Sequence, residues 1–419
     1  METALKRGTL AARAAVLPDT FRSAPSEAVQ PRADLPLVFL MPHSLPISRR
    51  SWLVQCAVAG GGSLASLTGV VGCGGSTPPT GSSPRPTLKY RLGLIGRHRD
   101  SIAFRAAANA AQQRAAELSA SLPIPVELSV LAPDRENPAA QVEWIEQLVR
   151  EEAAGIAIEV AEAESLTQAV IDAAARGVPV LCFNTDLPDS SRFLFLGLDE
   201  VQAGQTLMRR CVALLRERQP DASGFQIAIL GGSRESSLLQ RRIDAAQVEA
   251  VRHEEVRLAG TFLHTGTPGD ALKTLVAAHR EAGPIDGWVL LGDWPLDLGA
   301  GGGDAGANAP AGNAGGANGD GSNADRFPWQ PGEVVCVAMD AFPAQLARLK
   351  AGEVQMLLAR PYRQLGVRIA ELLVERASQG TQPAGERESL PCEEVMASQV
   401  EELEKKWQTW LTPTVGGPA

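Results

Sequence analysis

Histidine is scarce in this 419-residue chain, with five copies, and cysteine is hardly commoner, with six. The sequence contains no Cys-x-x-Cys, His-Glu-x-x-His, Gly-x-Ser-x-Gly or Gly-x-x-x-x-Gly-Lys-Ser/Thr run. Those absences remove the commonest zinc-protease, serine-hydrolase and nucleotide-hydrolase chemistries. His98 beside Asp100 could serve as a general base, but no nucleophile accompanies it. No enzyme activity and no cofactor are therefore expected. Positive charge is also in short supply. The net charge is −9, and beyond residue 73 the chain carries 32 basic against 44 acidic side chains. No basic stripe survives there, which argues against nucleic acid as the main partner. Cysteine spacing suggests no disulfide framework. Cys182 and Cys336 fall within apolar runs and read as small buried hydrophobes.

The first 73 residues do not look like a domain. "SRRSWL" (48–53) precedes an apolar, Gly- and Ala-containing segment that ends in "LTGVVGCGGS". A positive start, a short apolar run and small residues before a break describe an export signal. Arg49 and Arg50 resemble a twin-arginine signal. "VVGC" (70–73) resembles a lipobox, which would leave Cys73 as a lipid-bearing N-terminus. The alternative is a single membrane anchor over residues 52–72. Met41, just ahead of the signal, is the expected true start. Residues 74–87, rich in Gly, Ser and Pro, read as a flexible tether.

From residue 88 short apolar runs alternate with helical patterns. Strands are expected at 91–96, 126–131, 155–160 and 178–183, with helices between them. Few polar residues interrupt these strands, as in a parallel sheet covered on both faces. After "RFLFLGL" the rhythm restarts: strands at 225–230, 257–262, 287–291, 334–339 and 355–359, with helices at 201–216, 236–252, 269–282 and 341–350. A further helix spans 364–377, and a charged tail follows. Residues 299–325 hold ten Gly and eight Ala in 27 positions, cannot bury a core, and are expected to be a disordered surface loop. "NGDGSNAD" within it lacks the acidic spacing and closing Glu of a calcium loop, so no metal is expected.

In an open parallel sheet, ligands bind beyond the carboxyl ends of the strands. Polar residues collect there in this chain. "RHRDS" (97–101) follows the first strand, Asn184 and Asp186 the fourth, and "GGSRESSLLQRR" (231–242) the first strand of the second half. Asp293 and Trp294, Asp340 and Arg360 follow later strands. The body as a whole resembles the periplasmic sugar-binding proteins of the ribose/galactose type, the solute-binding components of ABC transporters. The resemblance rests on the stretch 137–205, with "GIAI", "ARGVPV" and "LGLDEVQAG", and on "VAMDAFPAQLARLKAGEVQMLLARPYRQLG" (337–366). It covers about residues 88–378.

That resemblance implies a fold of two Rossmann-like α/β lobes with parallel sheets, joined by crossing hinge strands. Lobe one would comprise 88–198 with 361–390, and lobe two 199–360 with 391–412. It places Ser101, Phe104, Asn184, Asp186, Arg242, Asp293, Trp294, Asp340 and Arg360 at the ligand. Several depart from the family's pattern: Gly292 stands where an Asn is usual before Asp293, Ala245 where a Gly is usual, and Arg360 where a Gln is common. Carboxylates and arginines suit sugar hydroxyls, and an aromatic face suits the C–H side of a ring. Other readings stay open. Asp340 could cap the helix at 341–350, Asp186 could make an Asx turn before Pro188, and Trp294 could pack in the core. Arg97, Arg99, Arg242 and Arg360 either pair with the acids or read an anionic ligand such as a sugar acid. The expected protein is an exported, membrane-anchored monomer of the periplasm or cell envelope, serving an ABC permease or, alternatively, a membrane sensor.

Overall fold

In the computed structural model, residues 88–233, 236–297 and 327–412 are described, all within one unit of chain, Gly81–Ala419. The expected signal, the lipobox at Cys73, the tether and the Gly/Ala loop at 299–325 lie outside the described residues.

The first sheet takes β1 (Tyr90–Ile95), β2 (Val126–Leu131), β3 (Gly155–Ile158), β4 (Val180–Phe183) and β5 (Leu194–Leu198). Helices α1 (Ile102–Ser121), α2 (Pro138–Arg150) and α3 (Ala163–Ala175) connect them. After α4 (Glu200–Arg218) the second sheet is built from β6 (Phe225–Gly231), β7 (Val256–Leu263), β8 (Gly287–Leu290), β9 (Val335–Met339) and β10 (Met356–Ala359). Its helices are α5 (Ser237–Val251), α6 (Pro268–Glu281) and α7 (Pro343–Lys350). The chain then returns through α8 (Tyr362–Gln379) to β11 (Arg387–Leu390), crosses again to β12 (Glu393–Val395), and ends in α9 (Val400–Trp410).

The two sheets repeat one plan. The first has the order β11-β5-β4-β3-β1-β2 and the second β12-β10-β9-β8-β6-β7. All pairings are parallel except β10 with β12. Parallel strands deliver every carboxyl end to the same side of a sheet, so each sheet presents one rim of strand ends. The chain passes between sheets after Leu198, after Ala359 and after Leu390.

Strands buried on both faces explain the continuous apolar runs. Leu92 and Leu94 pack with α1 and α8, whereas Ile95, Ile156 and Ile158 pack with α2 and α3. In the second sheet Ile227 and Ile229 face α4 and α5, and Leu230 and Leu290 face α6 and α7. Both helix pairs cross closely over a glycine. A Cβ on Gly366 would overlap the Ala107 carbonyl, and one on Gly204 would overlap the Arg242 carbonyl. The second of these crossings sets a side chain of the site.

The tail departs from expectation. β11 and β12 are short, charged edge strands, and α9 buries Val400 and Trp407 while its other faces stay polar. Sheet edges favour charged residues, which blunt pairing with other chains, so composition concealed both strands.

Candidate functional site

At the rim of the first sheet, Gln141 is fully buried and ties two strand ends together. Its Nε2 donates to the carbonyls of Gly96 (2.9 Å) and Glu159 (2.8 Å), and its Oε1 accepts from the Ala161 N–H (3.0 Å). An amide that uses donors and acceptor in this way fixes the loops after β1 and β3. Glu159, buried directly after β3, accepts 2.9 Å from the Asn184 amide nitrogen. Asn184 follows β4 with a φ of 56°, a left-handed conformation that Asn tolerates better than most residues. Ser101 caps α1 by accepting from the Phe104 N–H (3.0 Å). The Phe104 ring lies over Gly96, where a Cβ would come within 2.5 Å of it. Arg97 is buried and held by Glu136, with Nε at 3.1 Å.

At the rim of the second sheet, the close α4–α5 crossing at Gly204 brings Arg242 onto Glu200, one turn earlier on α4. Arg242 donates to Glu200 through Nε (2.7 Å) and to the Leu291 carbonyl through Nη1 (2.5 Å). Asp340 is fully buried after β9, with a φ of 66°. Arg360 meets it as a planar fork, Nε to Oδ1 at 2.7 Å and Nη2 to Oδ2 at 2.5 Å, and the Tyr362 hydroxyl adds a third bond at 3.0 Å. Burial opposes the charge of Arg360, yet Asp340 and its neighbours hold that guanidinium well above the ordinary arginine range. Asp340 does not cap α7; there the Gln345 side chain accepts from the Phe342 N–H instead (2.8 Å).

Asp293 is buried beyond β8, and burial first, then the nearby Asp340 charge, push its carboxyl well above the usual range. Trp294 is 4% exposed, so it offers no open face for stacking on a ring. A Cβ on Gly292 would overlap the indole, and one on Gly232 would lie 2.8 Å from it. The glycine in place of the family's Asn is therefore the bed of a large ring. His264, after β7, packs edge-on against that ring, with centroids 4.6 Å apart.

Two of the expected residues from different sheets meet. Asn184 and Arg360 line one small cavity, with Gly197, Leu198, Tyr362 and Leu390. Asp186 does not join them: Arg192 chelates its carboxylate, with Nη2 at 3.1 Å, and Arg387 adds a bond of 2.7 Å. That cluster fastens the loop after β4 to the edge strand β11, and answers for Asp186 and Arg192 in "DLPDSSR" (186–192). Sequence reasoning missed Glu159, Glu200 and His264 as members of the rims. A carboxylate inside the apolar run "GIAIEV" was the one available signal, because a charge is seldom fully buried without a partner.

Two α/β lobes whose strand ends face a shared cavity, crossed three times by the chain, define a two-lobed binding protein. The family model of the periplasmic binding protein domain matches residues 93–382, and the chain belongs to that family of binding proteins. Solved structures share the fold at low identity. An ABC transporter solute-binding protein from Burkholderia graminis, in complex with D-arabinose, is 18% identical with a TM-score of 0.55, over 75% of this chain and 98% of that one. A periplasmic ribose ABC transporter protein from Conexibacter woesei is 16% identical with a TM-score of 0.60, over 78% of this chain and 99% of that one. A solute-binding protein from Bacillus halodurans with bound myo-inositol is 16% identical with a TM-score of 0.55, over 76% and 99%. No curated protein matches the chain by sequence.

Proposed function

We propose that this chain is an exported, lipid-anchored solute-binding protein that captures a neutral sugar between its lobes and delivers it to an ABC permease. Lobe one (88–198 with 361–390) and lobe two (199–360 with 391–412) close about the three crossings, and Asn184, Asp293, Asp340 and Arg360 stand among the ligand's neighbours. Cys73 carries the lipid, and residues 74–87 hold the lobes off the membrane.

The observation that carries the choice of ligand is the pairing of the rim arginines. Arg97 is matched by Glu136, Arg99 by Asp134, Arg242 by Glu200 and Arg360 by Asp340. An anionic sugar acid would set a second negative charge beside the carboxylate that each of these arginines already holds, and those like charges would repel. Hydroxyls impose no such demand, since each both donates and accepts. The solved neighbours that hold D-arabinose and myo-inositol, and the one named for ribose transport, concern uncharged polyhydroxy compounds and favour the same class.

A thermal-shift screen of the whole chain against pentoses, hexoses, inositols and sugar acids tests this. A ligand at a hundred times its dissociation constant should add about 2.7 kcal/mol of stability. Stabilisation by a neutral sugar supports the reading; silence across the neutral set refutes it.

A further inference from the structure

Helix α9 belongs by chain order to the second lobe, yet it touches both. Trp407 is buried, and its indole donates to the Ala341 carbonyl at 2.7 Å, directly after Asp340 at the second rim. The same ring packs against Phe342, the residue ahead of α7, with centroids 5.5 Å apart. One turn further on, α9 meets the first lobe. Asn109 on α1 donates its amide to the Trp410 carbonyl at 2.8 Å and to the Thr412 carbonyl at 3.4 Å. Arg105, one turn earlier on α1, donates to the Leu411 carbonyl at 3.5 Å. Carbonyls in the last turn of a helix have no partner within it, so α1 supplies what the end of α9 lacks.

The covalent crossings run elsewhere. A cavity separates α9 from the crossing that follows Ala359, and its walls include Arg360, Tyr362, Leu403, Trp407 and Trp410. Helix α9 is thus held at two points, one on each lobe, and not along the crossing. A rotation of one lobe about the crossings moves α1 relative to α7. Motion that presses α1 onto α9 meets close-packed side chains. Motion that parts them lengthens the Asn109 bonds, and hydrogen bonds weaken steeply once their geometry is lost. The Trp407 end is buried and the Asn109 end half-buried, so the Asn109 end is the one that releases.

We propose that α9 is a strap between the lobes: anchored on the second by Trp407, it holds the first through Asn109, and the lobes part only when that end lets go. A contact made in one lobe arrangement and lost in the other biases the balance between the two. The proposal rests on the reading that the lobes move about their three crossings. It does not depend on which solute the cleft takes.

Small-angle X-ray scattering of the whole chain without added sugar tests the strap at Asn109, which lies outside the residues assigned to the ligand. Asn109→Ala removes the donor, and Asn109→Asp sets a carboxylate against two carbonyl oxygens. The radius of gyration should rise from the parent to Asn109→Ala and again to Asn109→Asp. The melting temperature of Asn109→Ala should fall by no more than about 2–4 °C, the worth of one hydrogen bond. A larger radius with a much larger fall in melting temperature would mean partial unfolding and would overturn the strap. Scattering of the parent with an excess of ribose, D-arabinose, galactose, glucose or myo-inositol reports on the crossings separately. If a sugar contracts the parent while both variants keep the parent's radius, the strap is overturned and the hinged closure stands. If no sugar contracts the parent and neither variant enlarges it, the hinged reading fails and the strap falls with it.

Discussion

Asn184 and Asp340 hold the same place in the two sheets. Each follows the third strand from its sheet's edge, each has a left-handed backbone (φ 56° and 66°), and each donates its N–H to the adjacent strand, at Leu196 (3.1 Å) and Leu358 (2.9 Å). The turn aims one amide and one carboxylate outward from equivalent positions. Asn and Asp reach this conformation at low cost, and β-branched residues do not. Asn184→Gly should therefore change stability by well under about 1 kcal/mol, whereas Asn184→Val should cost about 1–3 kcal/mol. Urea unfolding of the two variants checks the ordering.

The fork between Arg360 and Asp340 makes a second prediction. Removing one partner of a buried ion pair typically costs about 3–5 kcal/mol, because the other charge is left uncompensated. Arg360→Met strips the cation from beside both Asp340 and Asp293, so it should be the more damaging change. Asp340→Asn keeps an acceptor for the guanidinium and should cost less. Equal denaturation midpoints for the two would contradict this ordering.

Gly292 should not tolerate the residue that the family resemblance led one to expect. Gly292→Asn would push a Cβ into the Trp294 ring. Overpacking of this kind costs about 1–3 kcal/mol. The double change Gly292→Asn with Trp294→Ala relieves the overlap, so its loss of stability should be smaller than the sum of the two single losses, a coupling that a double-mutant cycle measures.

Acid should weaken the fold partly through His264. Burial lowers its pKa from the usual 6.5 to about 4, so the unfolded chain takes up a proton there before the native one does. Its contribution is fully present above about pH 6.5 and is lost as pH falls through about 4. Asp293 acts in the opposite sense, since its raised pKa lets the native state hold a proton that the unfolded state has released. The difference between parent and His264→Gln isolates the histidine: the parent's advantage should shrink between pH 7 and about 4.5, followed by denaturant midpoint.

The last helix is part of the fold. The Trp407 indole donates to the Ala341 carbonyl at 2.7 Å, directly after Asp340, and the Asn109 amide nitrogen on α1 donates to the Trp410 carbonyl at 2.8 Å. Trp407→Phe should lose about 1 kcal/mol with the hydrogen bond, and Trp407→Ala about 3–5 kcal/mol with the packing. Calorimetric melting of both variants separates these contributions.

Which of these features could be read in the sequence follows from where their physics lies. Nine strands and the helices between them were legible because a strand covered on both faces must be apolar throughout, as in "GIAI" and "VLCF", whereas β5 in "RFLFLGL" was passed over. The rims were legible as positions, since polar groups at the carboxyl ends of parallel strands stand out after such runs. Partnerships were not. Nothing near Arg242 in sequence points to Glu200, which lies 42 residues earlier and meets it only because Gly204 lets two helices touch. Asp186 resembled a rim acid by position, yet Arg387, from an edge strand 201 residues later, draws it aside. Trp294 could be called core or platform from the sequence, and only the two glycine beds decide for burial.

The most direct test of a neutral ligand in a cleft of internally paired arginines is a calorimetric titration of the whole chain with matched pairs, glucose against glucuronate and galactose against galacturonate, at low salt. The arginine pairing predicts binding of a neutral sugar, with its uronic acid at least about 100-fold weaker, a difference near 2.7 kcal/mol. Tighter binding of the acid than of its neutral partner would mean that an arginine leaves its carboxylate to read the ligand's charge, and would contradict the assignment.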